Sequence, residues 1–144
     1  MRILVTLEAA EGQPERYARD GNPPAWTLYD TLPHPWPTAY GFVENTTNPA
    51  DGEEWDVIIV SPCTVAAMST IAADIVGILL REDGDHKLLA VLPDDATLGE
   101  PPDLNLIPAA RRIAIAALYG ARSPITGWGD RATAVALFTA PPSG

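Results

Sequence analysis

Residues 55–61, WDVIIVS, form the densest run of β-branched and apolar side chains in the chain and predict a strand. Residues 2–7 alternate weakly and predict a first strand that ends near Glu8. Residues 71–80 and 88–92 predict two more, the earlier one carrying Gly77 as a bulge or a point of close backbone approach. The acidic turn REDGDH between them is built on Asp-Gly, so these two strands should form a hairpin. Residues 16–19 and 26–29 predict a shorter hairpin interrupted at GNPP. The three prolines of TLPHPWPTA make residues 31–39 an irregular connector, because proline cannot donate to a central ladder.

The periodicity changes after Pro101-Pro102. Residues 108–119 are alanine-rich, with proline in the first turn and Gly120 as a stop, and predict a helix. Residues 130–139 predict a second helix with Asp130 as N-cap and Pro141 as terminator. A β-rich body followed by two helices is an α+β architecture, and residues 1–144 are long enough for one domain with a real core.

Composition sharpens this picture. Fifteen prolines and 11 glycines favour many turns and short strands over a helical bundle. A formal charge of −10 disfavours nucleic acid and anionic lipid as partners, so an anionic substrate would need metal ions to bridge it to the protein. Cys63 is the single cysteine, which excludes an intrachain disulfide and a thiolate metal site and suits a reducing cytoplasm. Following a proline at a strand end, it reads as a small buried thiol. The short apolar run before Glu8 does not read as a signal peptide, and no stretch approaches the ~20 apolar residues of a membrane span.

Three acidic groups are candidates for chemistry. DGEEWD, residues 51–56, places Asp51 and Glu53 in a turn and Asp56 at the start of the strongest strand, a frame on which a hard cation can find oxygen ligands. EDGDHK, residues 82–87, puts Asp83 and Asp85 two apart at a hairpin tip with Lys87 continuing the same face, while His86 points outward. Asp94-Asp95 reads as loop surface. Taken singly, each reads first as a solvated turn. WPTAYGF, residues 36–42, is an aromatic turn whose tyrosine can hydrogen-bond a phosphate oxygen or simply fill the core.

The order of these pieces resembles the soluble inorganic pyrophosphatases. That family carries Y-P-x-N-Y-G-F, then D-G-D-P-x-D before an apolar strand, then a G-V-L strand, an acidic hairpin with D-x-K, and an A-V strand. This chain has WPTAYGF, DGEEWDVIIVSP and VGILLREDGDHKLLAV at similar spacings. Glu8 is similar to the E of E-I-P, Arg16-Tyr17 to K-Y-E, ALYGA to the helix ending in Y-K, and TGW to V-x-G-W. The resemblance implies a small OB-like five-stranded β-barrel with C-terminal helices, and Mg²⁺-dependent hydrolysis of pyrophosphate by direct attack of water. It implies that Asp51, Asp56 and Asp85 hold the main metal, that Asp83 and Glu8 help with further ones, and that Glu53 stands in the base position. Arg16, Tyr40, Lys87 and Tyr119 would contact phosphate, with Tyr40 and Lys87 also serving the chemistry. A cytoplasmic homo-oligomer is the further expectation.

The chain also departs from the family. Ala18 stands for the glutamate of K-Y-E, Thr31 for an arginine, Gly120 for the lysine of Y-K, and Glu53 for an aspartate. The extra methylene of Glu53 would move a base by ~1.5 Å, and a misplacement of that order can cost about a hundredfold in rate. The expectation is therefore a kept carboxylate cage with a thinned phosphate clamp. A scaffold turned to a diphosphate ester or another small molecule, and a non-catalytic binding module, stand as alternatives.

Overall fold

The computed structural model describes residues 1–93, 104 and 107–141; Asp94-Asp95 and Pro101-Pro102 lie outside them. Eight strands, β1 (Arg2–Ala9), β2 (Glu15–Asp20), β3 (Ala25–Thr31), β4 (Ala39–Val43), β5 (Trp55–Ile59), β6 (Thr70–Arg81), β7 (Lys87–Val91) and β8 (Ile125–Gly129), are joined by two helices, α1 (Ala109–Tyr119) and α2 (Arg131–Thr139). The sheet runs β3-β2-β1-β4-β5-β7-β6-β8, and an added β1–β6 pairing closes β1, β4, β5, β7 and β6 into a five-stranded barrel. The β2–β3 hairpin extends from β1, and β8 extends from β6. This is the barrel with C-terminal helices that the resemblance implied.

Apolar clusters form on both faces of the wall, which is why its strands read as continuous apolar runs. In β5, Val57 and Ile59 join one cluster while Ile58 belongs to the other; in β7, Leu88 and Ala90 part from Leu89 and Val91 in the same way. Strand β6 changes parity midway: Ala73, Ile75 and Ile78 share one cluster, and Val76 and Leu79 share the second. The register shift between Ile75 and Gly77 is the bulge expected there, and it turns the second half of the strand over. Helix α1 supplies Ile115 and Tyr119 to one cluster, and Ala134 of α2 joins the other. The Asp130 side chain accepts from Thr133 N at 2.9 Å, the N-cap read from sequence, and this hydrogen bond lowers its pKa. Cys63 is buried.

Two strands depart from the sequence reading. WPTAYGF is a turn only in its first half, because Ala39–Val43 is strand β4, buried along its whole length between β1 and β5. The prolines that precede it and its glycine conceal it. ITGWG forms β8 despite two glycines, held by pairing to β6. No helix of the described residues is long and apolar enough to cross a membrane.

Gly41 explains its place in the Y-G-F motif. A Cβ built there would lie 2.1 Å from the carbonyl oxygen of Thr6, so β4 seats against β1 only without a side chain. Gly41→Ala should therefore destabilise the fold by about 3 kcal/mol or more. A denaturant unfolding curve within ~1 kcal/mol of the parent would contradict this packing.

Candidate active site

The parallel pairing of β5 with β7 sets the centre of the site. It aligns Val57 with Leu88, so that Asp56 and Lys87, the residues just before them, stand side by side. Lys87 Nζ donates to Asp56 Oδ2 at 2.6 Å and to Asp85 Oδ2 at 3.0 Å. The side chain is nearly buried, and its ammonium also lies 5.9 Å from the ring centre of Tyr40.

A buried asparagine links the two acidic loops. Asn48 accepts from Ala50 N through its side-chain oxygen, and its backbone accepts from Gly52 N and donates to the Glu53 carbonyl. Its amide nitrogen then reaches Asp85 Oδ1 at 3.3 Å. Within the loops, Asp51 Oδ1 accepts from Glu53 N, and Asp83 Oδ1 from Asp85 N. Gly52 and Gly84 take positive φ at these two turns, the backbone shape that an aspartate followed by glycine favours. Asn48 has no acidic or aromatic signal in the sequence, and nothing there marks it as the tie between turns 37 residues apart.

On the other side of the Tyr40 motif in the sheet order, Ala9 of β1 pairs with Arg16 of β2, bringing Arg16 Nη2 to 3.5 Å from Glu8 Oε2. The Arg16 guanidinium also lies over the rings of Tyr29 and Tyr40, at 4.7 and 5.2 Å. Tyr40 stacks on Trp36 and tilts against Tyr119, whose hydroxyl is 3.2 Å from Thr38 Oγ1. Burial pushes both tyrosines well above their ordinary pKa, with the charge of Asp56 adding to the rise. They therefore remain hydrogen-bond donors.

The residues that the resemblance assigns to the site, Glu8, Arg16, Tyr40, Asp51, Glu53, Asp56, Asp83, Asp85, Lys87 and Tyr119, all line one cleft of about 800 Å³. That is ample for a small polyanion with its counter-ions. Asp51, Asp56 and Asp85 share the cleft, but the cation between Asp56 and Asp85 is Lys87. Among the described residues no three carboxylate, imidazole or thiol side chains are already gathered around one point. The donor set is nonetheless all oxygen, which fits a hard divalent cation and disfavours a soft one. His86 is not among the lining residues; its Nδ1 accepts from Arg81 N, and burial lowers its pKa.

The cations of the cleft revise the expected clamp. Thr31 ends β3 and does not line the cavity. At Gly120 a Cβ would fall 2.6 Å from the Ala116 carbonyl oxygen, so a lysine there would strain the end of α1. Arg19, Arg81 and Arg122 line the cleft beside Arg16 and Lys87, and so positive charge comes from positions the family motifs do not mark. Glu54, Asp20 and Asp30 add carboxylates, leaving acidic groups in the majority.

Glu8 is the most perturbed carboxyl of the cleft. Burial raises its pKa from 4.5 to about 7, outweighing the lowering by Arg16, and the nearby charge of Asp56 adds to the rise. Its folded-state pKa lies above its unfolded one, so its protonation favours the folded form. That contribution is fully present below about pH 4.5 and is lost as pH rises through about 7. In metal-free buffer, Glu8→Gln should remove up to about 3 kcal/mol of this pH-dependent loss. Unfolding free energies at pH 5 and pH 8 test it, and parallel pH dependences in parent and variant would refute the assignment.

A family model described as inorganic pyrophosphatase matches residues 5–136. The inorganic pyrophosphatase of Gluconobacter oxydans strain 621H is 28% identical over 147 aligned residues, which cover 92% of this chain and 84% of that one. Among solved structures, the inorganic pyrophosphatase of Ehrlichia chaffeensis superposes with a TM-score of 0.84 at 27% identity, covering 95% of this chain and 90% of that one. The Thermus thermophilus inorganic pyrophosphatase gives a TM-score of 0.79 at 25% identity, covering 95% and 87%. With the match running from β1 into α2, this chain belongs to the inorganic pyrophosphatase family.

Proposed function

We propose that this chain hydrolyses inorganic pyrophosphate to two phosphates in a Mg²⁺-dependent reaction, by direct attack of water on phosphorus with no covalent intermediate. The observation that carries the reading is the single cleft in which the two acidic loops face Arg16, Lys87, Tyr40 and Tyr119. Asp51, Asp56 and Asp85 would hold the principal cation, with Asp83 and Glu8 toward others. When bound, Mg²⁺ neutralises the phosphoanhydride charge and acidifies water.

The chain's own groups divide the remaining work. Lys87, fixed between two carboxylates, directs its positive charge at one end of the substrate. Arg16 brings a second charge from β2, and its guanidinium fork suits phosphate oxygens. Tyr40 and Tyr119, kept protonated by burial, donate hydrogen bonds and cannot compete as anions. Glu53, exposed on a turn pinned by Asp51 and Asn48, is the proposed acceptor of the water's proton.

Phosphate release from pyrophosphate by the purified chain, with and without Mg²⁺, tests the proposal. Turnover that requires Mg²⁺ is expected. No release at millimolar Mg²⁺ would overturn it.

A further inference from the structure

Arg81 closes β6 and stands at the hairpin end of the cleft, with its side chain only 9% exposed. Its Nη1 lies 3.6 Å from Asp85 Oδ2, its Nη2 3.7 Å from Asp83 Oδ2, and Nη1 also donates to the Asp85 carbonyl at 3.2 Å. Its backbone N–H donates to His86 Nδ1, which fixes the base of the side chain. The two carboxylates assigned above to divalent cations thus already share the positive charge of one guanidinium.

We propose that Arg81 is a resident cation that competes for the hairpin carboxylates, so that this chain takes up fewer or weaker divalent ions at Asp83 and Asp85 than those carboxylates alone would bind. The inference rests on the proposed placement of metal ions in this cleft. Its physical basis is the contrast with Lys87. Lys87 contacts its partners at hydrogen-bond length, whereas the Arg81 carboxylate pairs, at 3.6 and 3.7 Å, are long. Long pairs neutralise charge without saturating the oxygens, so a divalent ion and the guanidinium contend for the same lone pairs. Arg81 is in this sense a positioning residue, setting how much metal the cleft needs before a polyanion enters.

Calorimetric titration of the metal-free full chain with Mg²⁺ tests it, comparing the parent with Arg81→Met, Arg81→Gln and Arg81→Lys, each checked for folding by circular dichroism. Arg81→Met should gain one equivalent of bound Mg²⁺ or tighten one Kd at least tenfold. Arg81→Gln provides the same test with a polar side chain, and Arg81→Lys should stay near the parent. Neutral variants that match the parent within twofold in both stoichiometry and Kd would overturn the inference while leaving the pyrophosphatase reading intact. Absence of Mg²⁺ binding in parent and neutral variants alike would overturn it too, and phosphate release then decides the reading on its own.

Discussion

Lys87→Met should lower pyrophosphate turnover by a factor of about 10² to 10³, the range found when one preorganised positive or hydrogen-bonding group is taken from a developing oxyanion. Methionine keeps the length and most of the volume of the stem, so the barrel wall remains filled. The charge between Asp56 and Asp85 is lost, however, so Asp56 gives up its ammonium partner and Asp85 keeps only the long pair to Arg81. Removing one partner of such a network costs on the order of 3 kcal/mol, so the melting temperature should fall together with the rate. Mg²⁺ should restore part of the stability, since a divalent ion can take the vacated position, but not the rate. Lys87→Arg should rescue poorly, because a planar fork cannot replace a compact ammonium held 2.6 and 3.0 Å from two acceptors. A Lys87→Met enzyme within tenfold of the parent at saturating Mg²⁺ and substrate would remove Lys87 from the chemistry.

Lys87 also illustrates what can be read from the chain. The apolar runs of β5, β6 and β7 and the Asp-Gly turn between the last two are local signals that place Asp56, Asp83 and Asp85 on their elements, while Lys87, read with the hairpin tip, is the first residue of β7. The order of the motifs supplied the barrel that brings them together. Strands β4 and β8 were illegible for a local reason: proline precedes one and glycine punctuates the other, and each is held by neighbours distant in sequence. The structural ties in the site are silent in the sequence for a different reason. Asn48 matters through a hydrogen bond to a residue 37 positions away, and Arg81 through its inward orientation at the end of a bulged strand. Neither carries a type or spacing that singles it out. Thr31 and Gly120 read as missing cations because motif order does not register that one lies off the cleft and the other has no room for a side chain.

Asp56→Asn should have the largest effect of any conservative change in the cleft, lowering turnover by about 10³ or more. Asparagine is nearly isosteric, and its carbonyl oxygen can still accept from Lys87, so β5 and its pairing should survive. What disappears is the negative charge at the point where β5, β7 and the hairpin meet. That charge acts on most of the perturbed groups of the site: it adds to the upward shifts of Glu8, Tyr40 and Tyr119, all buried in the same cleft. Its loss removes the proposed central ligand for the divalent cation and with it the means of holding an extra positive charge beside the substrate. A purely structural role would leave the titration of the neighbours unchanged, and here the two accounts separate. If Asp56 is the electrostatic centre, the Glu8 pKa should fall below about 7 in the variant while burial, its main cause, keeps it raised. The pH-dependent stability difference between Asp56→Asn and the double variant with Glu8→Gln should then shrink relative to that between the parent and Glu8→Gln. Mg²⁺ affinity, measured without substrate, should drop at least tenfold. An Asp56→Asn protein that keeps a tenth of the parent's turnover, with its Mg²⁺ affinity intact, would show that the centre of the site lies elsewhere in the cleft.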